Sequence, residues 1–214
     1  RQKYITSEDE KVSKYIRGWS YGRKKDVTIR EILTHTSGLD RHWNHNSFMI
    51  HPSLSELTLS IDYEEEWNGE FYYNDTAIQV LPVLIEGITE DPVDQYLQFK
   101  LFNTLGISYN IMRWSRDFEG TCRGPTGLRM NVEELVKVGE WFMDHPFIEM
   151  ITSSNAEETH GYLIWLKGEW IYMKGDYGQF LAINPNTKTI GARLTTERDN
   201  YSFDDFIEFI EYLK

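Results

Sequence analysis

The stretch "GYLIWLKGEWIYMKGDYGQFLAINPNTKTIGARLTT", residues 161–196, alternates short apolar segments with turns. Its segments "GYLIWL", "EWIYMK", "GQFLAIN" and "TIGARLTT" are rich in β-branched and aromatic residues, which is typical of strands. The connections Lys167-Gly168, Gly175-Asp176 and "NPNTK" are short and contain turn-forming residues. Because antiparallel strands can follow one another through connections this short, the stretch predicts a four-stranded antiparallel sheet.

The sequence on both sides of this stretch has helical periodicity. Upstream, "TAIQVLPVLIEGI" (76–88) and "NVEELVKVGEWFMDH" (131–145) carry apolar residues at helical spacing. Pro82 predicts a kink or a break in the first of them. Downstream, "SFDDFIEFIEYL" predicts an amphipathic helix capped by Ser202.

The order of these elements predicts the fold class. Helices come first, then a strand meander, then one helix, which is an α+β pattern with segregated parts. We expect one structural domain of two lobes. The helical lobe and its loops would comprise residues 1–158, and the strands and last helix of the sheet lobe would comprise residues 159–214.

The composition excludes several classes of partner. The formal net charge is −12, which argues against a nucleic-acid backbone or an anionic membrane surface as the ligand. No apolar run approaches the roughly 20 residues that span a bilayer. Cys122 is the only cysteine, so no intrachain disulfide is possible. The chain contains no phosphate-binding loop and no zinc-protease motif, and we expect no cofactor. Composition favours no cellular compartment.

The polar, His-rich residues 40–53 predict a loop. His42, His45 and His51 could bind a metal ion, but they lack a cysteine or carboxylate in a recognised ligand pattern. We favour solvated loop histidines and keep the three-histidine metal site as an alternative.

The segment "EFYYND", residues 70–75, places a tyrosine two residues before an asparagine and just ahead of a helix. Tyr72 could relay a proton if cationic neighbours lower its pKa. Asn74 could exchange hydrogen bonds with an amide substrate. The alternative is a tyrosine-rich loop that packs against the helix, and the spacing by itself favours that alternative.

Four stretches resemble motifs of the serine β-lactamase-related family, which includes class C β-lactamases, DD-peptidases, esterases and 6-aminohexanoate-oligomer hydrolases. They are "VTIREILTHTSGL" (27–39), "GEFYYNDTAIQVLPVLIEGITEDPVDQYLQFKLFNTLGI" (69–107), "GPTGLRMNVEELVKVGEWF" (124–142) and "MKGDYGQFLAINPNTKTIGARL" (173–194). They follow the family's order over nearly the whole chain. The resemblance implies a β-lactamase/transpeptidase-like fold and acyl transfer through a covalent serine ester.

The resemblance also implies roles for individual residues. Tyr72 and Asn74 match the family's Tyr-x-Asn motif and would be catalytic. The Gly of its Lys/His-Thr/Ser-Gly motif matches Gly175, and we expect substrate contacts from the segment around it. The substrate-binding candidates are Lys174, Gly175, Tyr177 and Gln179.

The family's His-Thr-Ser-Gly stretch is a structural helix terminus. His35 would therefore hydrogen-bond to backbone, and Ser37 and Gly38 would shape a turn, without a catalytic role for any of them.

The chain departs from the family pattern at two motifs. It contains no Ser-x-x-Lys, the motif that supplies the nucleophile, and we expect that motif and the first sheet strands upstream of Arg1. Met173 stands where the family has Lys or His, and Lys174 where it has Thr or Ser. Without that cation, a β-lactam or D-Ala-D-Ala substrate is disfavoured, and a less anionic ester or amide fits better.

Two functional hypotheses follow. The first is a serine hydrolase that acts on a small-molecule or peptide-like ester or amide, with its nucleophile upstream of this chain or on a separate, processed chain. The second is a non-catalytic relative that binds a peptide, a cell-wall fragment or another protein. Because a sheet without its first strands would expose unpaired backbone, we expect residues 1–214 alone to be poorly soluble or to bind the missing segment.

Overall fold

A computed structural model describes residues 4–40, 45–64, 66–153, 159–197 and 199–213, with the backbone alone at 45–47 and 153. The chain divides into two compact units, Arg1–Arg129 and Met130–Lys214. The division precedes the predicted lobe boundary after residue 158, because the helix that follows Met130 packs against the sheet of the second unit.

The first unit is mainly helical. Its α-helices are α1 (Ile29–Leu33), α2 (His45–Ile50), α3 (Leu54–Ser60), α4 (Asp75–Ile78), α5 (Val80–Thr89) and α6 (Val93–Leu97). A π-helical turn, Gln98–Phe102, extends α6, and 3-10 turns span Val12–Lys14, Arg17–Trp19 and Arg23–Asp26. Strands β1 (Arg113–Trp114) and β2 (Leu128–Arg129) form an antiparallel pair.

The second unit contains the predicted meander. Its helices are α7 (Val132–Asp144), α8 (Phe147–Ser153) and α9 (Phe203–Tyr212), and its strands are β3 (Trp165–Lys167), β4 (Trp170–Gly175), β5 (Gln179–Asn184) and β6 (Thr189–Arg193). The strands form one antiparallel sheet in the order β3-β4-β5-β6. The antiparallel meander and the helix after it are therefore confirmed.

The two faces of this sheet carry different helices. On one face, Gly139 of α7 lies so close to Leu181 and Ile190 that a Cβ on it would stand 3.1 Å from a Leu181 methyl carbon. On the other face, Phe203 and Phe206 of α9 stack on aromatic rings of the sheet. Side chains alternate between the two faces along β4 and β5, so each residue of these strands belongs to the α7 face or to the α9 face.

Side-chain caps begin two helices of the second unit, and the one at Ser202 is predicted from the sequence. Asn131 accepts a hydrogen bond from the Glu134 N–H at 3.0 Å and caps α7. Ser202 and Asp205 form a reciprocal capping box at α9. The predicted break near Pro82 is also present, but it lies at Gln79. Proline is tolerated in the first turn of α5, where its missing N–H needs no partner.

The prediction of a loop over residues 40–53 is wrong in part. Residues 45–50 form α2, and Phe48 within it is fully buried against Leu54 and Leu57 of α3. The apolar contact stabilises a helix that its polar, His-rich sequence disfavours, because burying one phenylalanine is worth about 1.5–3 kcal/mol.

His160 is a buried histidine at the start of the meander, with its ring edge-on to Trp165 at 4.9 Å. Burial lowers the pKa of its imidazole to about 4. In the unfolded chain the imidazole binds a proton near pH 6.5, whereas in the folded chain it stays neutral until the pH is about 4. Protonation therefore favours the unfolded chain progressively as the pH falls from 6.5 to 4, and it has no such effect above pH 6.5.

We expect the free energy of unfolding to fall by up to about 3 kcal/mol between pH 6.5 and 4 because of His160. Urea titrations of the wild type and His160→Phe across this range would measure it. The variant is expected to lose most of the slope over this range, and equal slopes for the two proteins would contradict the prediction.

Candidate active site

Asn74 is part of the framework of the first unit. Its Oδ1 accepts the Ala77 N–H at 3.2 Å, which caps α4, and its Nδ2 donates to the Leu39 carbonyl oxygen at 2.7 Å. Its side chain is buried. These two bonds leave at most one N–H and one lone pair of the amide for a substrate.

His35 holds the Tyr72–Asn74 segment from the other side. The Tyr72 N–H donates to the His35 carbonyl oxygen at 3.0 Å, and the Asn74 N–H donates to His35 Nδ1 at 3.1 Å. The imidazole is buried, lies 4.6 Å from the ring of Tyr73, and meets Phe71 edge-on at 5.9 Å. The prediction that His35 hydrogen-bonds to backbone is confirmed.

The turn after His35 connects this segment to the loop before it. Gly38 has a φ of 67°, which L-amino acids with a side chain rarely adopt. Its carbonyl oxygen accepts the Glu64 N–H at 2.9 Å. Ser37 is buried, and its Oγ is 3.5 Å from the Leu39 N–H. Ser37 and Gly38 therefore shape a turn, as predicted.

A cavity of about 10 Å³ lies at this turn, which is room for about one water molecule. Tyr72 is 51% exposed at its edge, although its backbone is tied to His35. The residues that line the cavity are His35, Ser37, Gly38, Leu39, Glu64, Trp67, Tyr72 and Asn74. The Tyr72 phenol is therefore accessible from outside, on a backbone that a hydrogen bond to His35 holds.

Trp67 closes one side of this cavity by packing directly on Gly38. A Cβ on Gly38 would lie 2.5 Å from Cγ and 2.8 Å from Nε1 of the Trp67 indole. The sequence analysis missed Trp67, and the only local signal for its contact is the glycine that ends "HTSG".

Gly38→Ala is expected to lower the free energy of unfolding by about 3 kcal/mol, from left-handed strain and from the clash with Trp67. Gly106→Ala is the matched control, because Gly106 has a φ of 68° and nothing within 4 Å of the new Cβ. It is expected to cost about 1–2 kcal/mol. Urea unfolding of both variants separates the two effects, and equal losses would refute the packing contribution of Trp67.

The second unit carries the remaining candidates on the β4–β5 hairpin. Gly175 pairs with Gln179 and Met173 pairs with Leu181, so all four lie on the face that α7 covers. Gln179 is half-buried there, and a Cβ placed on Gly175 would lie 3.4 Å from the Gln179 Cβ.

Lys174 lies on the opposite face of the same sheet. It pairs with Phe180, which packs against Phe203 and Phe206 of α9. Tyr172, two residues before it, stacks on the same Phe203 ring at 3.6 Å. Alternation along the strand thus separates the Lys174 side chain from Gly175 and Gln179.

The turn of this hairpin is held by a cation that the sequence analysis did not single out. Tyr177 is half-exposed, with a φ of 66°, and Gly178 follows with a φ of 76°. Arg193 at the end of β6 donates to the Gly178 carbonyl oxygen, forms an ion pair with Asp199, and lies 4.4 Å from the centre of the Tyr201 ring. No spacing pattern marks Arg193, because its partners meet only in the folded meander.

The thiol of Cys122 is a further candidate nucleophile, and the three histidines of residues 40–53 are the candidate metal ligands. Burial raises the pKa of the Cys122 thiol to about 12, so it is protonated at neutral pH. Among the residues that the structure describes, no three His, Cys, Asp or Glu side chains are grouped to hold a metal ion. His42 and the side chain of His45 lie outside the described residues, so the three-histidine hypothesis stays untested.

The sequence analysis predicts that no apolar segment is long enough to span a membrane as a helix. In the described part of the chain, no helix combines the length and apolar character needed to cross a bilayer.

A meander flanked by helices and a Tyr-x-Asn loop ahead of a helix are typical of β-lactamase-like serine hydrolases. The Beta-lactamase family model matches residues 7–208, and the chain belongs to this family. The structure has the β-lactamase/transpeptidase-like fold.

Solved structures share this fold at low sequence identity. A Bacillus anthracis protein described as a 6-aminohexanoate-dimer hydrolase has a TM-score of 0.80 at 11% identity, covering 97% of this chain and 67% of its own. A penicillin-binding protein from Bacillus halodurans has a TM-score of 0.74 at 16% identity, covering 97% of this chain and 79% of its own.

A curated relative matches part of the chain. The Bacillus subtilis (strain 168) protein described as penicillin-binding protein PbpX is 26% identical over 98 residues, which is 46% of this chain and 24% of that protein. The match thus spans about a quarter of the length of this relative.

Proposed function

We propose that the intact protein is a serine hydrolase that cleaves an ester or amide through an acyl-enzyme. The nucleophile is a Ser-x-x-Lys serine outside these 214 residues, which contain no such motif. The observation that carries the proposal is the half-exposed Tyr72 on a backbone held by His35 and Asn74, in a chain of the Beta-lactamase family.

In the proposed reaction, the serine oxygen attacks the carbonyl carbon and loses its proton, and the carbonyl becomes a tetrahedral oxyanion. The Tyr72 phenol oxygen accepts the serine proton while its own proton passes to the leaving alcohol or amine. The oxyanion then collapses to the carbonyl of the acyl-enzyme, and the bond to the leaving group breaks. Water then attacks the acyl-enzyme carbonyl, releasing the acid and restoring the serine hydroxyl. Asn74 contributes mainly by fixing the tyrosine loop, with one N–H at most for the substrate.

The substrate is proposed to be less anionic than a β-lactam. Met173 occupies the position where a cation would bind a substrate carboxylate, and Lys174 next to it faces α9. Gly175, Gln179 and Tyr177 are the proposed substrate contacts of the hairpin, with Lys174 contributing through its backbone. This favours a neutral ester or amide.

Intact mass of the full-length protein, before and after a serine-reactive fluorophosphonate, tests the proposal. One adduct is expected, on a serine followed three residues later by lysine, and a neutral p-nitrophenyl ester is expected to be hydrolysed faster than a β-lactam. A full-length protein that takes up no adduct would overturn the proposal.

The absence of Ser-x-x-Lys from this chain also supports a second candidate, a β-lactamase-like binding module without turnover. Saturable binding of a peptide or cell-wall fragment, with no adduct and no ester hydrolysis, would favour this candidate. Burst release of an ester leaving group would exclude it.

A further inference from the structure

We infer that His35 is a positioning residue for the reaction, because its carbonyl oxygen and its imidazole together fix the backbone on both sides of the Tyr72 side chain. The inference rests on the proposed function and extends it to a residue in the "HTSG" turn, for which the sequence predicts only a structural role.

His35 accepts two hydrogen bonds from the tyrosine segment, one from residue 72 and one from residue 74. The His35 carbonyl oxygen accepts the N–H of Tyr72, and its Nδ1 accepts the N–H of Asn74. The first bond is on the backbone of the proposed relay itself. The second is on the residue that caps α4, so the end of the segment is fixed to a helix.

The orientation of Tyr72 follows from the residues on either side of it. Phe71 and Tyr73 both contact the His35 ring. Because side chains alternate along an extended segment, the side chain between them is directed away from that ring contact, and Tyr72 is half-exposed. The two hydrogen bonds to His35 fix the backbone from which this phenol projects.

The backbone of His35 is itself strained. Its φ of 55° lies in the left-handed region, which residues with a side chain adopt rarely. Such strain persists when surrounding contacts hold it, and it occurs preferentially at functional sites. The contacts that hold it include the two bonds to the Tyr72–Asn74 segment and the hydrogen bond from the His35 N–H to the Ile32 carbonyl oxygen at 3.3 Å.

Because Nδ1 of His35 accepts a hydrogen bond, two variants that keep or remove an acceptor at this position test its role. In His35→Asn, the amide oxygen occupies the position of Nδ1, and asparagine tolerates a positive φ. In His35→Leu, a side chain of similar reach has no acceptor. If His35→Leu folds too poorly for study, His35→Gln replaces it, because its acceptor lies one bond further from Cβ.

The test uses the full-length protein with a neutral p-nitrophenyl ester, and hydrogen exchange of the Asn74 amide as a readout that needs no activity. His35→Leu is expected to lower kcat about 10- to 100-fold with KM within about threefold, and to speed exchange at Asn74. His35→Asn is expected to recover at least tenfold of the lost kcat and the slow exchange.

The outcomes separate the inference from the function it rests on. A wild-type protein without serine adduct or hydrolysis overturns the proposed function, and the role of His35 with it. An active wild type in which His35→Leu keeps its kcat overturns the inference alone. Equal kcat losses in the asparagine and leucine variants, or in the asparagine and glutamine variants, also overturn it, because the acceptor at Nδ1 would then not matter.

Discussion

Replacing Tyr72 by phenylalanine is expected to lower kcat/KM of the full-length protein for an ester by about 10²- to 10⁴-fold, the usual contribution of a positioned general acid or base. The change removes only the hydroxyl. The hydrogen bond from the N–H of residue 72 to the His35 carbonyl oxygen remains. The contacts of the Phe71 and Tyr73 rings with the His35 imidazole also remain. The loss would therefore report proton transfer, because the contacts that hold the backbone of the segment stay in place.

Tyr73→Phe is the matched control in the same loop. It removes a hydroxyl from the adjacent, partly exposed tyrosine and keeps the ring that lies against His35. Steady-state rates for both variants should differ by at least tenfold. A Tyr72→Phe protein within threefold of the wild type would remove Tyr72 from the mechanism.

Asp94→Asn is expected to lower the free energy of unfolding by about 3 kcal/mol, because it leaves a largely buried arginine without its counter-ion. Asp94 at the start of α6 is buried, and Arg116 lies 2.5 Å from Oδ1 and 3.2 Å from Oδ2. The Tyr109 hydroxyl donates to Oδ2 at 3.0 Å. Arg116 is about a quarter exposed, which places the loss at the lower end for a broken buried pair.

The control for this prediction is an exposed pair in the same unit. Lys11 and Asp26 are 2.6 Å apart, and more than half of each side chain is exposed. Asp26→Asn should therefore cost much less than Asp94→Asn, because water and salt screen an exposed pair. Urea unfolding of both variants at neutral pH measures the difference, and equal losses would show that burial adds nothing to the Asp94 pair.

The ion pair between Asp94 and Arg116 also makes the free energy of unfolding depend on pH in the acid range. Burial works to raise the pKa of Asp94, but the hydrogen bonds from Arg116 and Tyr109 outweigh it, and the pKa lies below its usual 3.8. The unfolded chain therefore takes up this proton first as the pH falls. The stability from the pair is complete above pH 3.8 and is lost as the pH falls through the lowered pKa.

Local sequence determined much of the architecture. Strands β4, β5 and β6 and the cap at Ser202 lie close to their predicted positions, whereas β3 begins at Trp165, four residues after the start of the predicted segment "GYLIWL". Period-two patterns, turn residues and caps act within a few residues, so a short window of sequence contains what they need. The Beta-lactamase family was likewise indicated by motifs in their order along the chain.

Tertiary structure decided what local patterns leave open. The helix around Phe48 forms because α3 supplies an apolar partner, and Lys174 faces α9 because pairing with Phe180 sets its side of the sheet.

The site depends most on such distant contacts. Residues 35 and 74 are far apart in sequence, yet the imidazole Nδ1 of one accepts the N–H of the other. The sequence by itself determined the antiparallel meander, the helix after it and the candidate Tyr72. Only the packing of the turn at Gly38 against the tyrosine loop decided that His35 would hold it, because a hydrogen bond between distant residues exists only once the chain between them has folded.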